Sequence, residues 1–205
     1  MQWIETGIAK PTGELIYSAS KANATLLHLP ALAVEPLCPT VSTVAFEAVF
    51  FGSPRAATFA AQRNLLNGFT GKVIAVGEGT AKALTKEGFA TDICGDSSGA
   101  ENLLQKLCSN GNLPKTIAWI SAEETAVDLN ELAKRFNISI QHVPVYRTIA
   151  TTFSAEQIAK IEHPCRWILH SGKGVLAVQK FFEKTDEFEA IGASAKKALE
   201  LAPKI

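Results

Sequence analysis

The sequence carries the same strand-turn-helix pattern twice. Residues 73–84 form a β-branched apolar run that ends in a glycine turn and opens at once into Ala/Leu-rich sequence. Residues 190–199 align with the later part of this segment without a gap, so that glycine falls on glycine and Lys-Ala-Leu on Lys-Ala-Leu. Because each copy predicts a strand, a tight turn and a helix, the chain contains a repeated βα unit.

A second pair of matching segments precedes the first. Residues 49–57 read Val-Phe-Phe-Gly-Ser-Pro-Arg-Ala-Ala, and residues 167–175 read Trp-Ile-Leu-His-Ser-Gly-Lys-Gly-Val. In this register serine falls on serine, and the basic residues Arg55 and Lys173 also coincide. Because the two pairs of matching segments occur in the same order, the sequence predicts two similar α/β units that face each other over one ligand.

The composition limits the class of protein. The 205 residues are 47% hydrophobic, which is enough to bury the core of one large or two small domains. Twenty basic and twenty acidic side chains cancel, which argues against a broad role on nucleic acid or a membrane surface. Since no signal region or apolar run of bilayer length occurs, we expect a cytoplasmic protein without membrane or nucleic-acid partners.

The cysteines and histidines show no metal-binding spacing. The four cysteines are far apart and form no C-x-x-C pair, which favours reduced structural thiols over a disulfide framework or a zinc site. The four histidines also lack paired spacing. We therefore expect no metal ion.

Strand-like and helix-like segments alternate through the middle of the chain, and this alternation predicts a doubly wound parallel sheet. The predicted strands are 46–51, 72–76, 89–94, 115–120 and 138–142, and the predicted helices are 54–66, 80–87, 99–109 and 123–136.

The flanking segments predict a second, discontinuous domain. A strand is expected at residues 3–6, a helix after Pro11, and one strand over 25–34. Elements then resume beyond residue 152, and the end of the chain at 203–205 leaves this domain with the smaller sheet. The later elements are predicted as helices at 154–162, 173–183 and 194–201 and strands at 166–170 and 188–191.

Proline-containing segments separate the two predicted domains. Pro144 makes a central parallel strand improbable, so the stretch around it is interpreted as an extended return linker beside residues 30–37. The expected fold is α/β, with two doubly wound parallel-sheet domains joined by a two-stranded β linker and the middle domain inserted into the other. The predicted boundaries are 1–35 plus 152–205 for the discontinuous domain, 40–143 for the inserted domain, and 36–39 and 144–151 for the linkers.

Candidate ligand-binding residues cluster where strands give way to helices. In open parallel sheets the ligand crevice lies beyond the carboxyl ends of the strands, where helix N-termini present N–H groups to anions. Ordinary helix capping is the competing explanation for any one of these positions, but it does not require serine and a basic residue to recur in register. Helix starts of this kind are predicted near Pro54, Gly79, Gly172 and Ala193.

Nucleotide binding fits the sequence less well. Gly77 and Gly79 follow a strand, and Asp96 ends the next one, as in a dinucleotide site, but Lys82 replaces the third glycine. Lys173 does not belong to a Walker sequence, because it lacks the upstream glycine and is followed by glycine.

Tyr146 is one of only two tyrosines and lies where the chain crosses between the predicted domains. Two interpretations remain open from the residues alone. The ring packs the linker, as amphipathic tyrosines often do, or its hydroxyl faces a ligand cleft.

Five motifs together resemble the uroporphyrinogen-III synthase family over essentially the whole chain. The family converts linear hydroxymethylbilane to uroporphyrinogen III and inverts the last pyrrole ring. Its two α/β domains joined by a two-stranded ladder agree with the inserted-domain prediction. The motifs are Phe51-Gly-Ser-Pro-Arg-Ala56, Ala75-Val-Gly-Glu-Gly-Thr-Ala81, Val145-Tyr-Arg-Thr148, His170-Ser-Gly-Lys-Gly-Val175 and Ile191-Gly-Ala-Ser-Ala195.

The chain departs from the family pattern at several positions. The Thr-Arg-Pro that follows the family's first strand has no match near Thr6-Gly7, and Ser121-Ala122 stands where the family has Arg-Gly. Ala195 takes the place of a threonine, with Ser194 as the nearest hydroxyl. These departures leave a second hypothesis open, namely a non-catalytic or degenerate ligand-binding protein of the same fold.

The resemblance implies a monomeric enzyme that needs no cofactor and binds the eight carboxylates of hydroxymethylbilane, with transient contact to the preceding pathway enzyme. Tyr146 is then the candidate to hydrogen-bond or protonate the departing hydroxyl. The candidate substrate-binding residues are Ser53, Pro54, Arg55, Gly77, Thr80, Ser171, Gly172, Lys173 and Ser194.

Overall fold

A computed structural model describes residues 1–96 and 98–202. The chain divides into two compact units. The first unit combines Met1–Val34 with Thr148–Ile205, and the inserted unit is Glu35–Arg147. Residues 203–205, with which the predicted discontinuous domain ends, lie outside the described residues.

Strands and helices alternate along most of the chain. None of the helices in the described ranges combines the length and the apolar character needed to span a membrane. The strands are β1 (Gln2–Glu5), β2 (Thr25–His28), β3 (Leu32–Pro36), β4 (Ala48–Phe51), β5 (Lys72–Ala75), β6 (Ile93–Cys94), β7 (Thr116–Ala122), β8 (Ser139–Ala150), β9 (Cys165–Leu169) and β10 (Glu187–Ala190). The α-helices are α1 (Gly13–Lys21), α2 (Pro54–Gln62), α3 (Glu78–Lys86), α4 (Ala100–Ser109), α5 (Leu129–Phe136), α6 (Ala155–Ile158), α7 (Gly172–Val178) and α8 (Ala193–Leu201).

The first unit is built on a four-stranded parallel sheet with the order β10-β9-β1-β2. Strand β1 is central, and its neighbour β9 comes from the far end of the sequence. The core of this unit gathers Ile4, Trp167 and Leu169 from the strands with Val175 and Val178 from α7. The order of the strands reverses between β1 and β9, so the topological switch point of this sheet lies there.

The inserted unit contains five parallel strands in the order β8-β7-β4-β5-β6. All four residues of β4 are buried, as expected for a central parallel strand covered on both faces. Phe50 stacks on Trp119 of the adjacent β7 at a centroid distance of 4.0 Å. The order of these strands reverses between β4 and β7, which places a second switch point there.

Strand β3 extends the sheet of the inserted unit beside β8. The amide of Leu37 donates to the carbonyl of Val145, and the amide of Thr151 donates to the carbonyl of Ala31. The residue numbers thus rise along one strand while those of their partners fall along the other, so β3 and β8 are antiparallel. The predicted fold, two doubly wound domains joined by a two-stranded β linker, is confirmed.

A bidentate ion pair crosses this β ladder. Arg147 donates through Nε and Nη2 to the two oxygens of Glu35, both at 3.0 Å. The hydrogen bond from Arg147 is the main reason that the pKa of Glu35 lies below its usual value. Because both groups are exposed, the pair specifies strand alignment more than it adds stability.

Local sequence explains where the helices that border the sheets begin. Ser53 has extended backbone and accepts a hydrogen bond from the amide of Ala56, with Pro54 as the first helical residue of α2. Ser171 caps α7 in the same way through the amide of Gly174. The matching serines of the sequence echo therefore occupy equivalent positions, one in each unit.

Several sequence predictions need correction. The strand expected over 89–94 is only Ile93–Cys94, and the helix expected over 154–162 is only Ala155–Ile158. The single strand expected over 25–34 is two strands, β2 and β3, because Pro30 lies between them and cannot donate to a ladder. The helix expected to begin at residue 123 begins at Leu129, where Asp128 accepts from the amides of residues 130 and 131.

A further correction concerns Pro144, which was expected outside any central parallel strand but lies inside β8, between β3 and its parallel partner β7. Pro144 is opposite Ser121, immediately before a register shift that sets Ala122 against Tyr146. A residue without an N–H is tolerated there because the ladder is already irregular.

Asp186 organises the loops at the opposite end of the first unit. Its side chain is fully buried and accepts hydrogen bonds from the amides of Cys165 and Glu183, the indole of Trp167 and the ring of His163. Burial opposes ionisation, but these donors overcome it and hold the pKa of Asp186 at about 2.

We expect Asp186→Asn to lower the free energy of unfolding by about 2 kcal/mol at pH 7. The folded-state pKa of Asp186 lies below its ordinary value of 3.8, so its contribution is present above about pH 4 and is lost as the pH falls towards 2. Denaturant unfolding of both proteins between pH 7 and pH 2.5 measures this. A stability difference that does not shrink at low pH would contradict the assigned role.

Candidate functional site

A pocket of about 380 Å³ lies at the switch point of the inserted unit. Its walls come from the residues that follow β4 and β7 and from the adjoining part of β8. Trp119 and small apolar residues form much of the lining. The polar residues of the lining are Ser53, Ser121, Glu124, Thr125 and Tyr146. An apolar pocket with a few convergent polar groups at a switch point is the usual form of a small-molecule site.

The hydroxyl of Tyr146 is hydrogen-bonded to the hydroxyl of Ser53 at 3.1 Å. Ser53 accepts at the same time from the amide of Ala56 at the start of α2. The serine thus connects the N-terminus of a helix, with its positive dipole end, to the phenol oxygen. The local sequence explains this geometry, because Ser53 lies two residues after the buried strand β4 and caps the next helix.

The ring of Tyr146 is held between side chains of α2. The guanidinium carbon of Arg55 lies 5.7 Å from its centroid, and the Phe59 ring is tilted by 32° at 5.6 Å. Tyr146 is 6% exposed, although it still lines the pocket. Both interpretations from the sequence thus have a structural counterpart, since the ring is packed and its hydroxyl lies in the pocket wall.

Ser121 and His142 form a polar pair in the same region that the sequence did not reveal. The serine hydroxyl lies 3.0 Å from Nε2 of His142, a distance typical of a nucleophile and its base. However, Nε2 also lies 3.0 Å from the carbonyl oxygen of Ala122. The nitrogen must carry its hydrogen, because otherwise two lone pairs would face each other, and so it cannot take the serine proton.

The predicted residues of α3 lie beside the pocket and do not line it. Gly77 is the N-cap of α3, and its carbonyl accepts from the amides of Thr80 and Ala81. Thr80 is only 2% exposed. A Cβ on Gly79 would lie 3.8 Å from the ring of Pro54, so the starts of α2 and α3 are neighbours.

In the first unit, two predicted helix starts also come together. A Cβ on Gly172 would lie 2.9 Å from the carbonyl oxygen of Ser194, so glycine permits the close approach of α7 to α8. The Ser171 hydroxyl is used as the cap of α7, Lys173 is half-buried, and Ser194 is exposed. The structure therefore groups Ser171, Gly172 and Ser194 at one edge of the smaller sheet.

The structure also brings together a candidate metal-binding group that sequence spacing did not suggest. Ligand atoms of His163, Cys165 and Asp186 lie within 4.8 Å of one another. Four N–H donors already occupy the Asp186 carboxylate, and the Cys165 thiol also donates to it. Burial, followed by the charge of Asp186, raises the pKa of the Cys165 thiol to about 12, which disfavours the thiolate that binds metals. This donor set fits a hydrogen-bonded core better than a metal centre.

Comparison with known proteins decides the family. The profile described as "Uroporphyrinogen-III synthase HemD" matches residues 14–201. The chain belongs to the uroporphyrinogen-III synthase family. No curated protein matches the chain.

Solved structures of uroporphyrinogen-III synthases share the fold. The crystal structure of the enzyme from Helicobacter pylori is similar with a TM-score of 0.70 and 17% identity, over 98% of this chain and 87% of that one. A mutant enzyme from the extremely thermophilic bacterium Thermus thermophilus gives a TM-score of 0.56 and 13% identity, over 98% and 88%. At these identities the likeness shows the fold alone.

Within this uroporphyrinogen-III synthase family member, Ser53→Ala should destabilise the protein by about 1–2 kcal/mol. The substitution removes the cap of α2 and leaves the buried Tyr146 hydroxyl without its partner. Thermal and denaturant unfolding measure the change. Ser109→Ala, which removes only an exposed hydrogen bond to the carbonyl of Gln105, should have little effect, and equal stability of all three proteins would contradict the double role of Ser53.

Proposed function

We propose that this chain converts hydroxymethylbilane to uroporphyrinogen III by loss of water, ring closure and inversion of the last pyrrole, and so acts as a cyclising hydro-lyase. The family match over residues 14–201 is the observation that carries the proposal. The pocket at the switch point of the inserted unit supports it, because Tyr146 lines this pocket together with apolar residues and a few other polar ones. The reaction needs ring positioning and one assisted departure of a hydroxyl group.

In this proposal Tyr146 donates a hydrogen bond or its proton to the hydroxyl that leaves as water. Ser53 can then donate its own hydrogen to the tyrosine oxygen, while its Oγ still accepts from the amide of Ala56. The helix start thereby supports negative charge on the phenol oxygen as it develops. Packing by Arg55 and Phe59 fixes the ring and keeps the hydroxyl in one place.

Local positive groups, without metal or organic cofactor, bind the carboxylates in this proposal. Arg55 is half-buried at the start of α2, and its guanidinium carbon lies 5.7 Å from the centroid of the Tyr146 ring. Helix starts with free N–H groups are suitable anion sites. The remaining proposed contacts are Ser53, Pro54, Gly77, Thr80, Ser171, Gly172, Lys173 and Ser194.

We also propose that the protein works in the cytoplasm as a monomer and contacts the preceding pathway enzyme transiently. All four cysteines are free, as a reducing compartment requires. Transfer from a neighbouring enzyme would protect hydroxymethylbilane, which closes spontaneously to the type I isomer.

A coupled assay from porphobilinogen tests the function. With the deaminase present, an active protein should direct product to uroporphyrinogen III, whereas spontaneous closure gives uroporphyrinogen I. Chromatographic separation of the oxidised isomers measures the ratio. Only the type I isomer at any protein concentration would overturn the proposal and favour a degenerate ligand-binding protein.

Tyr146→Phe should slow formation of the type III isomer on the order of 10²-fold, the size of a general-acid contribution. The ring and its packing remain, so the melting temperature should change little and substrate binding should change less than turnover. Isomer ratios at matched protein concentration, together with melting curves, give the result. An unchanged rate would leave Tyr146 as a packing residue.

Arg55→Glu should weaken binding of uroporphyrinogen III by on the order of tenfold or more, because a cation near the carboxylates becomes an anion. Fluorescence titration under reducing conditions measures this affinity. Lys86→Glu makes the same charge change at the exposed last turn of α3 and should bind normally. If both variants bound as tightly as the original protein, Arg55 would have no role in carboxylate binding.

A further inference from the structure

A buried carboxylate contacts a histidine at the switch point of the first unit. Glu5 ends β1, and His170 directly follows β9, the neighbouring strand. Oε1 of Glu5 lies 2.5 Å from Nε2 of His170. The pair thus lies at the carboxyl ends of two parallel strands, where ligands usually bind. His170 directly precedes Ser171, which caps α7.

Glu5 is almost completely buried, with 4% of the residue exposed. Its Oε1 accepts from the amide of Gly7 at 3.0 Å, and a Cβ on Gly7 would lie only 2.6 Å from that oxygen. The second oxygen, Oε2, is buried without a hydrogen-bond partner. A carboxylate held this tightly and left half-satisfied destabilises the fold, which points to a role other than structural support.

His170 differs from Glu5 because its side chain is 40% exposed. Since the carboxylate can only accept, Nε2 carries the hydrogen and Nδ1 carries the free lone pair. The contact with Glu5 uses Nε2 and leaves Nδ1 as the ring nitrogen that does not face the carboxylate. The geometry is that of a base whose far nitrogen is fixed by a buried carboxylate.

We propose that His170 is the general base that removes the last proton of the cyclisation, and that Glu5 is its positioning residue. This inference rests on the proposed function. Ring closure forms a carbon–carbon bond at the free α-carbon of the last pyrrole, which then carries both the new bond and a hydrogen. The C–H bond breaks, its electron pair restores the aromatic ring, and the proton goes to Nδ1 of His170.

The proton balance of the reaction requires such an acceptor. One proton is consumed when the hydroxyl leaves as water, and one is released when the last pyrrole becomes aromatic again, so the net change is the loss of water alone. When Nδ1 takes this proton, the imidazolium lies against the Glu5 carboxylate, which stabilises it without rearrangement.

The test compares steady-state kinetics and melting curves of Glu5→Gln, His170→Ala and the exposed control Glu14→Gln. Glu5→Gln should lower kcat about tenfold or more with KM changed less than about threefold, and its melting temperature should be unchanged or higher. His170→Ala should lower kcat on the order of 10²-fold, and added imidazole should restore part of the rate. Glu14→Gln, which removes an exposed carboxylate from the first turn of α1, should behave like the original protein.

The outcomes separate this inference from the proposed function. If the original protein forms no type III isomer, the proposed function fails and the role of His170 fails with it. Suppose instead that the original protein is active. If the His170→Ala variant is then folded and keeps its kcat, or loses rate without rescue by imidazole, His170 is not the base. If the alanine variant unfolds, His170→Gln replaces it in the same kinetic measurements. A lower melting temperature of Glu5→Gln would make Glu5 a structural residue and not a positioning residue.

Discussion

Parallel strands of one sheet all end at the same edge, and the helices that follow them begin there. This constraint places the helix caps and the Glu5–His170 pair described above. Ser53 and Ser171 each lie two residues beyond a strand and cap the next helix. Glu5 and His170 meet because their strands are parallel neighbours. The hydrophobic burial that forms each sheet therefore also brings these polar groups together at its carboxyl edge, and neither group needs a separate folding event.

Much of the fold follows from local sequence because its signals are local. The starts of α2 and α7 agree with the predicted positions, since Ser-Pro and Ser-Gly mark a cap and a first turn. The prediction fails where two local signals compete. Polar residues before Leu129 suit a helix as well as a loop, and Asp128 decides between them only through its cap hydrogen bonds. Pro144 was misleading because a register shift in the partner strand accommodates it.

The functional pairs were less predictable, because each joins residues that are distant in the sequence. The partners Ser53 and Tyr146 are 93 positions apart, and both were candidates for separate reasons. By contrast, Glu5 and His170 carried no shared signal, since a single carboxylate after a short strand has no distinctive neighbours. Likewise, neither His163 nor Asp186 had a spacing that indicates their contact. Long-range pairs of this kind depend on strand order, which composition and periodicity do not specify.

The strand order of the first unit has a consequence for synthesis on the ribosome. Central strand β1 finds one neighbour, β2, at once, but its other neighbour, β9, is made only after the whole of Glu35–Arg147 has been translated. The inserted unit has its strands β4 to β7 and most of β8 within that stretch and can bury its core early. Strand β1 must therefore wait with one edge unpaired, which makes this edge a place where a chaperone could protect the nascent chain.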